Sequence, residues 1–446
     1  MTRLHVTLGA LLAMAGSASA QAVATFDPSD AVAPVSVVEG PGVKIGEGTV
    51  LHPIFGAETG FISNVFYEDQ DENPAGVLRL LAQIGAGSLP LSRLTSPGML
   101  TLDEAGDPQT SAQSAGNLQY RADARLSYDL LLSNNERTTR AGAGGLGAGG
   151  TLRMLVNPLR TWSFGFAEEV RRLIRSANFE TDADTNRIIN DVKLRLFFQP
   201  QGRTLGGFLR YDNTIDYFER DRQRFSNRIQ HTFGARVMWR LLPMTRIYAD
   251  ASIGIFGPLG GDSVKASSYP FVGVAGLQTL LSLNLTVSLQ GGYTYSPYSM
   301  GPSYSAPVVG AEIGYRYSPL GRVTAMYQYM HQDSVNANFF RDHVVRLWLQ
   351  QMYVPFALTL QPELHLRKYQ GITIVDGPAT RDDVIFSMAA GVHYNFRNWI
   401  AGTLGYNLGI VRTDYRYRVP MSDGRVVEDD PSYIRHELVL GVRVAM

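Results

Sequence analysis

The residues best placed to do chemistry are His365 and His393. Both fall in stretches where apolar and polar residues alternate, both share the polar parity, and Glu363 and Ser387 lie close in sequence. A serine, a histidine and a carboxylate in contact would make a hydrolase. That reading needs a supporting motif, and the chain has neither a G-x-S-x-G elbow nor an H-E-x-x-H zinc signature. Histidine is scarce, at eight residues, and cysteine is absent, which removes disulfides, thiolate nucleophiles and cysteine metal sites. Asp103-Glu104 and Asp429-Asp430 are acidic pairs that suit a divalent cation, but they read as solvated loops. The glycine run from Ala141 to Gly150 lacks the Lys-Ser/Thr ending of a phosphate loop. It fits a strand in which small residues ease bending or close packing. These residues therefore read as parts of a polar network, with no catalytic residue, cofactor or metal expected.

The elements that carry them are strands. In Leu283 to Ser296, one parity holds Leu283, Leu285, Val287, Leu289, Tyr293 and Tyr295. The other holds Asn284, Thr286, Ser288, Gln290, Thr294 and Ser296. Successive strand residues face opposite sides, so the segment has one greasy face and one hydroxyl-and-amide face. About 18 such segments run from Thr49 to Met446, and none is an apolar helix long enough to span a bilayer. Lipid offers no partner to backbone amides, so only helices and closed barrels cross it. The expected fold is an all-β, antiparallel up-and-down transmembrane barrel of about 18 strands, with 16 or 20 left open. Mean hydropathy of −0.07 suits a barrel with half its residues facing water, and the zero net charge gives no basic field for nucleic acid.

The chain start supplies an address. Arg3, the apolar run Val6 to Ala15 and Ala18-Ser19-Ala20 form a signal peptide over 1–20, cleaved before Gln21. Residues 21–48 read as a periplasmic leader and 49–446 as an outer-membrane barrel. Short connections at 157–160, 199–202, 242–244, 318–321, 353–355 and 395–398 alternate with longer ones at 177–186, 219–227, 257–268, 297–303, 331–338, 371–381 and 413–432. Bacterial barrels have short periplasmic turns and long outer loops, so both ends are expected in the periplasm. Pro90 to Ala115 breaks the rhythm as a long connection on the short-turn side, read as a periplasmic flap, an inward-folded constriction, a disordered loop or an unrecognised strand pair. Trp162, Trp239 and Trp399 sit beside the short turns, as an interfacial girdle requires.

Charges share one parity on several strands: Arg210, Asp212 and Asp216; Asp191, Lys193 and Arg195; Arg228, Arg236 and Arg240; Glu312 and Arg316; Glu363, His365 and Arg367; Arg435, Glu437 and Arg443. A charge facing mid-bilayer lipid costs roughly 2–4 kcal/mol for Arg or Lys, so these are expected to face inward. They form either a salt-bridged wall or a permeation surface. Arg210, Asp212, Arg236, Glu312, Arg316, Glu363 and Arg367 are the pore-lining candidates. Mixed signs argue against a strongly ion-selective ring and against a dedicated phosphate pore.

Residues 43–66, VKIGEGTVLHPIFGAETGFISNVF, resemble the opening strand of the β-barrel porin 2 family of Gram-negative outer-membrane proteins. The features are a Gly-bearing approach, an apolar strand containing Pro53, and Asn64-Val65-Phe66 ahead of an acidic loop. The resemblance implies a porin-like channel for a polar, carbohydrate-type solute, with a link to exopolysaccharide export and periplasmic export components as partners beside outer-membrane lipid. It brings no catalytic residues. One departure is the end Val444-Ala445-Met446, where outer-membrane barrels usually finish on an aromatic and Met446 takes its place. A plugged structural barrel of a surface-polymer or secretion complex is the alternative.

Overall fold

The structure is a computed structural model. It describes residues 42–446 apart from 46–48, 71, 89–116, 137, 140–144, 159, 175–185, 201–203, 220, 262, 264, 336, 373–379 and 421–425. The expected signal segment, the leader up to residue 41, the 90–115 connection with Asp103-Glu104, and the run 141–144 lie outside the described residues.

The alternating stretches form strands. The first are β1 (Val43–Lys44), β2 (Val50–Ile62), β3 (Ala75–Gly87), β4 (Leu118–Leu132), β5 (Gly145–Val156), β6 (Trp162–Leu173) and β7 (Arg187–Phe198). Next come β8 (Leu205–Phe218), β9 (Arg228–Leu242), β10 (Thr245–Pro258), β11 (Phe271–Ser282), β12 (Leu285–Ser296), β13 (Tyr304–Ser318) and β14 (Gly321–Asp333). The last are β15 (Ala337–Tyr353), β16 (Phe356–Ile372), β17 (Thr380–Arg397), β18 (Ile400–Thr413), β19 (Tyr417–Pro420), β20 (Val426–Asp429) and β21 (Tyr433–Ala445). From β2 to β18 each strand pairs antiparallel with the next, and β21 pairs with both β18 and β2, closing the sheet. The 19-stranded sheet is therefore the two-residue β1, laid against Val50 and Leu51, plus eighteen wall strands. β19 and β20 form a separate hairpin between β18 and β21. A closed ladder leaves no edge for lipid to desolvate. The fold expectation of an 18-strand antiparallel transmembrane barrel holds.

An even strand number brings Val50 and Ala445 to one rim. The short connections after β5, β7, β9, β11, β13, β15 and β17 lie there as well; this is the turn rim, and the opposite end is the loop rim. The long link from Gly87 to Leu118 also leaves from the turn rim, as its place in the count predicts. Two boundaries differ from the sequence reading. Leu283 and Asn284 make the tight turn before β12, so that strand begins at Leu285. The expected loop 331–338 shrinks to 334–336, because His331, Phe339 and Tyr304 stack across strands and extend the ladder, with Tyr304 and His331 ring centroids 4.5 Å apart.

The two faces of the wall follow parity. On β12, Leu289, Tyr293 and Tyr295 are exposed on the outside, while Ser288, Gln290, Thr294 and Ser296 are buried on the inside. Trp162, Trp239 and Trp399 are exposed beside the turn rim, as a girdle requires. Trp348 departs from the pattern: it shares the inward parity of Arg346, and the Arg322 guanidinium sits 4.5 Å above its ring. The outer face should answer to lipid directly. Leu289→Arg, placed mid-strand on the outside, is expected to destabilise the barrel by about 2–4 kcal/mol. Gln290→Arg, one residue along and facing inward, should cost much less. Denaturant unfolding in lipid vesicles measures both, and equal costs would contradict the assigned faces.

Candidate functional site in the barrel lumen

Among the ion pairs that the inward parity brings together in the described residues, three clusters hold most of the candidate residues. At the closing seam, Arg79 on β3 grips Asp129 on β4 through two bonds of 2.8 and 2.9 Å. It also reaches Glu58 on β2 at 3.4 Å and Glu437 on β21 at 3.5 Å. Arg443 bonds Glu58 across the seam, and Arg435 bonds Glu437 at 2.9 Å. Glu58, Arg79, Glu437 and Arg443 are all buried. The second cluster runs over β7–β10. Arg195 bonds Asp212 at 2.6 Å, Arg210 holds Asp250 at 2.6 and 2.8 Å, and Arg236 reaches the same Asp250 at 2.8 Å. Arg236 lies between the rings of Phe208 and Tyr248, 5.4 and 4.8 Å from their centroids. The third cluster joins β15 and β16. Asp342 accepts from Arg367 at 2.7 Å and pairs with His365 Nδ1 at 2.9 Å, while Glu363 takes Arg346 at 2.6 Å and His365 Nε2 at 2.7 Å.

Five of the seven pore-lining candidates thus sit inside these clusters: Arg210, Asp212 and Arg236 together, Glu363 and Arg367 together. Glu312 and Arg316 stand apart on β13, half-buried, with Arg316 3.4 Å from Asn284 Oδ1 at the turn rim. Parity alone did not bring out Glu58, Arg79, Asp129, Asp250, Asp342 or Arg346. Glu58 is the one carboxylate of β2 and Arg79 the one arginine of β3, so neither falls in a run of charges. The other four share inward parity with further charges on their own strands (Arg121, Asp123 and Arg125 with Asp129; Arg246 with Asp250; Asp342 with Arg346) and were passed over, and the partners of all six come from other strands. The histidines do not meet. His365 is in register with Ile385, eight residues from His393 on β17, which is about 26 Å of strand. Both ring nitrogens of His365 face carboxylates, so it braces the wall and has no nitrogen left for a substrate proton.

The interior is not uniformly polar. Near the turn rim, Leu155, Phe197, Phe208, Met238 and Tyr248 form an apolar patch on the inner wall. At the loop rim the connection after β2 folds inward. Val65, Phe66 and Tyr67 pack on the inward residues Ile385, Val411, Tyr433 and Val439. Asn64 ties that connection, donating to the carbonyls of Glu68 (2.7 Å) and Ile434 (3.3 Å). A second group of loops meets across the lumen around Asp333. Arg228 bonds it at 2.9 Å, Tyr298 donates at 3.2 Å, and Lys265 lies 3.7 Å away while donating to the carbonyls of Ser334 and Ala337. Ser226, in the short 3-10 turn Asp221–Ser226, donates to the Val335 carbonyl at 3.1 Å. Burial, with Asp333 beside it, pushes the Tyr298 hydroxyl above its ordinary value, so it remains a donor.

Charge is also sorted by height. The four residues of each wall strand nearest the turn rim include Arg121, Arg153, Arg195, Arg240, Arg246, Arg316, Arg322, Arg397 and Arg443, and no aspartate or glutamate. The described residues of the short turns add Arg160 and no acid. At the loop rim the signs mix, with Arg187, Arg228, Arg381 and Arg435 beside Asp129, Asp216, Asp333 and Asp383. The sequence view of mixed signs is right for the wall as a whole and misses this layering.

No protein-family profile matches the chain, and no curated protein matches it. The resemblance of residues 43–66 to the porin 2 family thus stands without a profile match. Solved structures match in outline. OpdK of Pseudomonas aeruginosa, crystallised with vanillate, gives a TM-score of 0.44 at 9% identity over 89% of this chain and 99% of that one. OccAB4 of Acinetobacter baumannii gives 0.42 at 10% identity over 89% and 98%. The siderophore receptor PirA of P. aeruginosa gives 0.39 at 7% identity over 89% and 80%. The barrel assignment rests on the chain's own closed ladder, its apolar outer face and its charged inner face.

Proposed function

We propose that this chain is an outer-membrane channel for a polar solute, of carbohydrate type, with exopolysaccharide export as its setting. The observation that carries the reading is the eighteen-strand closure with charged and hydroxyl side chains turned inward and apolar ones outward. Barrels of 16–18 strands typically enclose an aqueous passage. In this reading residues 1–20 direct export, 21–48 form a periplasmic leader, and the barrel over 49–446 spans the outer membrane with the turn rim in the periplasm. Arg210, Asp212, Arg236, Glu312, Arg316, Glu363 and Arg367 contribute to the wall the solute passes. Glu312 and Arg316, half-buried and outside the three clusters, offer contact to the solute, and the clustered residues hold the wall's shape.

A second reading is a plugged scaffold of a surface-polymer complex. The loop of Val65, Phe66 and Tyr67, packed with inward wall residues, and the loop junction at Asp333 favour it. Single-channel recording of the reconstituted full chain separates the two. Discrete conductance steps support the channel. A folded barrel that never conducts leaves the scaffold.

A further inference from the structure

The layer of arginine at the turn rim has a chemical meaning beyond a generally polar passage. Arg240 and Arg246 stand directly opposite each other on β9 and β10, both on the inward face and both half-exposed. Like charges directly opposite each other are destabilising in a sheet. Arg316 on β13 and Arg322 on β14 continue the same level around the wall. Between them, on the inward faces of β11 and β12, come Gln278, Thr286 and Ser288, which carry no compensating charge. Arg322 lies over Trp348, its guanidinium carbon 4.5 Å from the ring centroid. Among the described residues the wall strands' acids begin deeper, at Glu312, Asp123 and Asp250, and Glu312 acts on Arg322 from that level. A concave mouth lined by one sign of charge, with low-dielectric walls, concentrates the opposite ion. Guanidinium forks match carboxylate and phosphate oxygens in pairs.

We propose that the turn-rim mouth, centred on Arg240, Arg246, Arg316 and Arg322, is an anion-collecting vestibule, and that the solute bears carboxylate or phosphate groups. The inference rests on the channel reading for the identity of the solute, but the vestibule itself does not require that the channel conduct. An acidic polymer would be drawn in from this rim, exchange its counterions for the arginine layer, and then meet a wall whose charges are already paired. Weak, repeated contacts of this kind favour entry without trapping.

The test uses the full chain reconstituted in a planar bilayer under a salt gradient, with polygalacturonate and size-matched dextran as probes. The expected result is a several-fold permeability preference for chloride over potassium that falls toward unity in R240Q/R246Q/R316Q/R322Q. Polygalacturonate should block from one side only, at lower concentration than dextran, with the block relieved by salt. Cation preference, or equal block by the two polymers, overturns the inference. Binding of the two polymers to the barrel in detergent micelles tests the vestibule without conduction. If polygalacturonate binds the wild type and not the quadruple variant, the vestibule stands even when the bilayer is silent, and only the channel reading falls. If it binds neither, or both alike, the vestibule falls. Unchanged circular dichroism and heat-dependent gel mobility in the variant show that the barrel itself is intact.

Discussion

Replacing Glu58 with leucine is expected to destabilise the barrel by about 3–5 kcal/mol, the usual cost of stranding a buried charge. Glu58 lies on β2, where the sheet closes, and is buried between two guanidiniums, Arg443 of β21 and Arg79 of β3. Arg79 keeps Asp129 and Glu437 when Glu58 is lost. Arg443 has no other carboxylate in an ion pair among the described residues, so its charge is the one stranded. The double variant E58L/R443M should therefore recover most of the loss, since removing both partners of a buried pair is often close to neutral. Denaturant midpoints in lipid vesicles for the two single variants and the double provide the cycle. A Glu58→Leu barrel within about 1 kcal/mol of the wild type, the range of exposed pairs, would mean the seam is hydrated and not a buried network.

The second large effect is expected on conduction. Asp333 is the junction at which three loop-rim elements meet: Arg228 at the start of β9, Lys265 in the connection after β10, and Tyr298 in the connection after β12. Asp333→Ala removes the common acceptor and leaves two cations facing each other inside the rim. Their repulsion, and the loss of charge-assisted bonds worth roughly 1.5–3 kcal/mol each, should let the loops swing outward. The expected reading is a larger and noisier single-channel conductance, with β-sheet content unchanged. Asp333→Asn, which keeps an acceptor for Tyr298 and Arg228, should fall between the two. Conductance unaltered in Asp333→Ala would show that the loops around this carboxylate do not set the narrowest point.

Much of this architecture was legible in the sequence because a membrane wall obeys a period of two. The faces of β12, the three girdle tryptophans and the short turns around Pro243, Pro319 and Pro355 all follow from alternation and turn chemistry. Boundaries failed where side chains stack across strands, as at His331 and Phe339, because cross-strand pairing is invisible along the chain. The inward charges were found strand by strand, but their pairing was not. Arg210 needs Asp250, forty residues on, and Arg79 needs Glu437, more than three hundred and fifty residues on. The apolar interior loop at Val65–Tyr67 was hidden for a related reason. Its residues read as a strand ending before an acidic stretch, and the cluster they join draws on the far strands β17, β18 and β21 as well as on β3 and β4. The arginine layer could have been seen: it appears once strands are aligned by their turns and not by their parity.

The seam has a last consequence for how the chain comes to be folded. Glu58 and Arg443 are 385 positions apart, and their strands form the final ladder of the wall. Hairpins such as β9–β10 or β13–β14 can form from neighbouring sequence, but nothing local can make this contact. Topologies dominated by such distant pairings fold slowly. An incomplete chain would carry an unpaired β2 edge and a solvated carboxylate, and so could neither enter lipid nor dehydrate its lumen. Insertion is then all-or-none in time as well as in space: the barrel becomes a membrane protein only when its last strand arrives, and the same late-formed contacts should make its release from the membrane correspondingly rare.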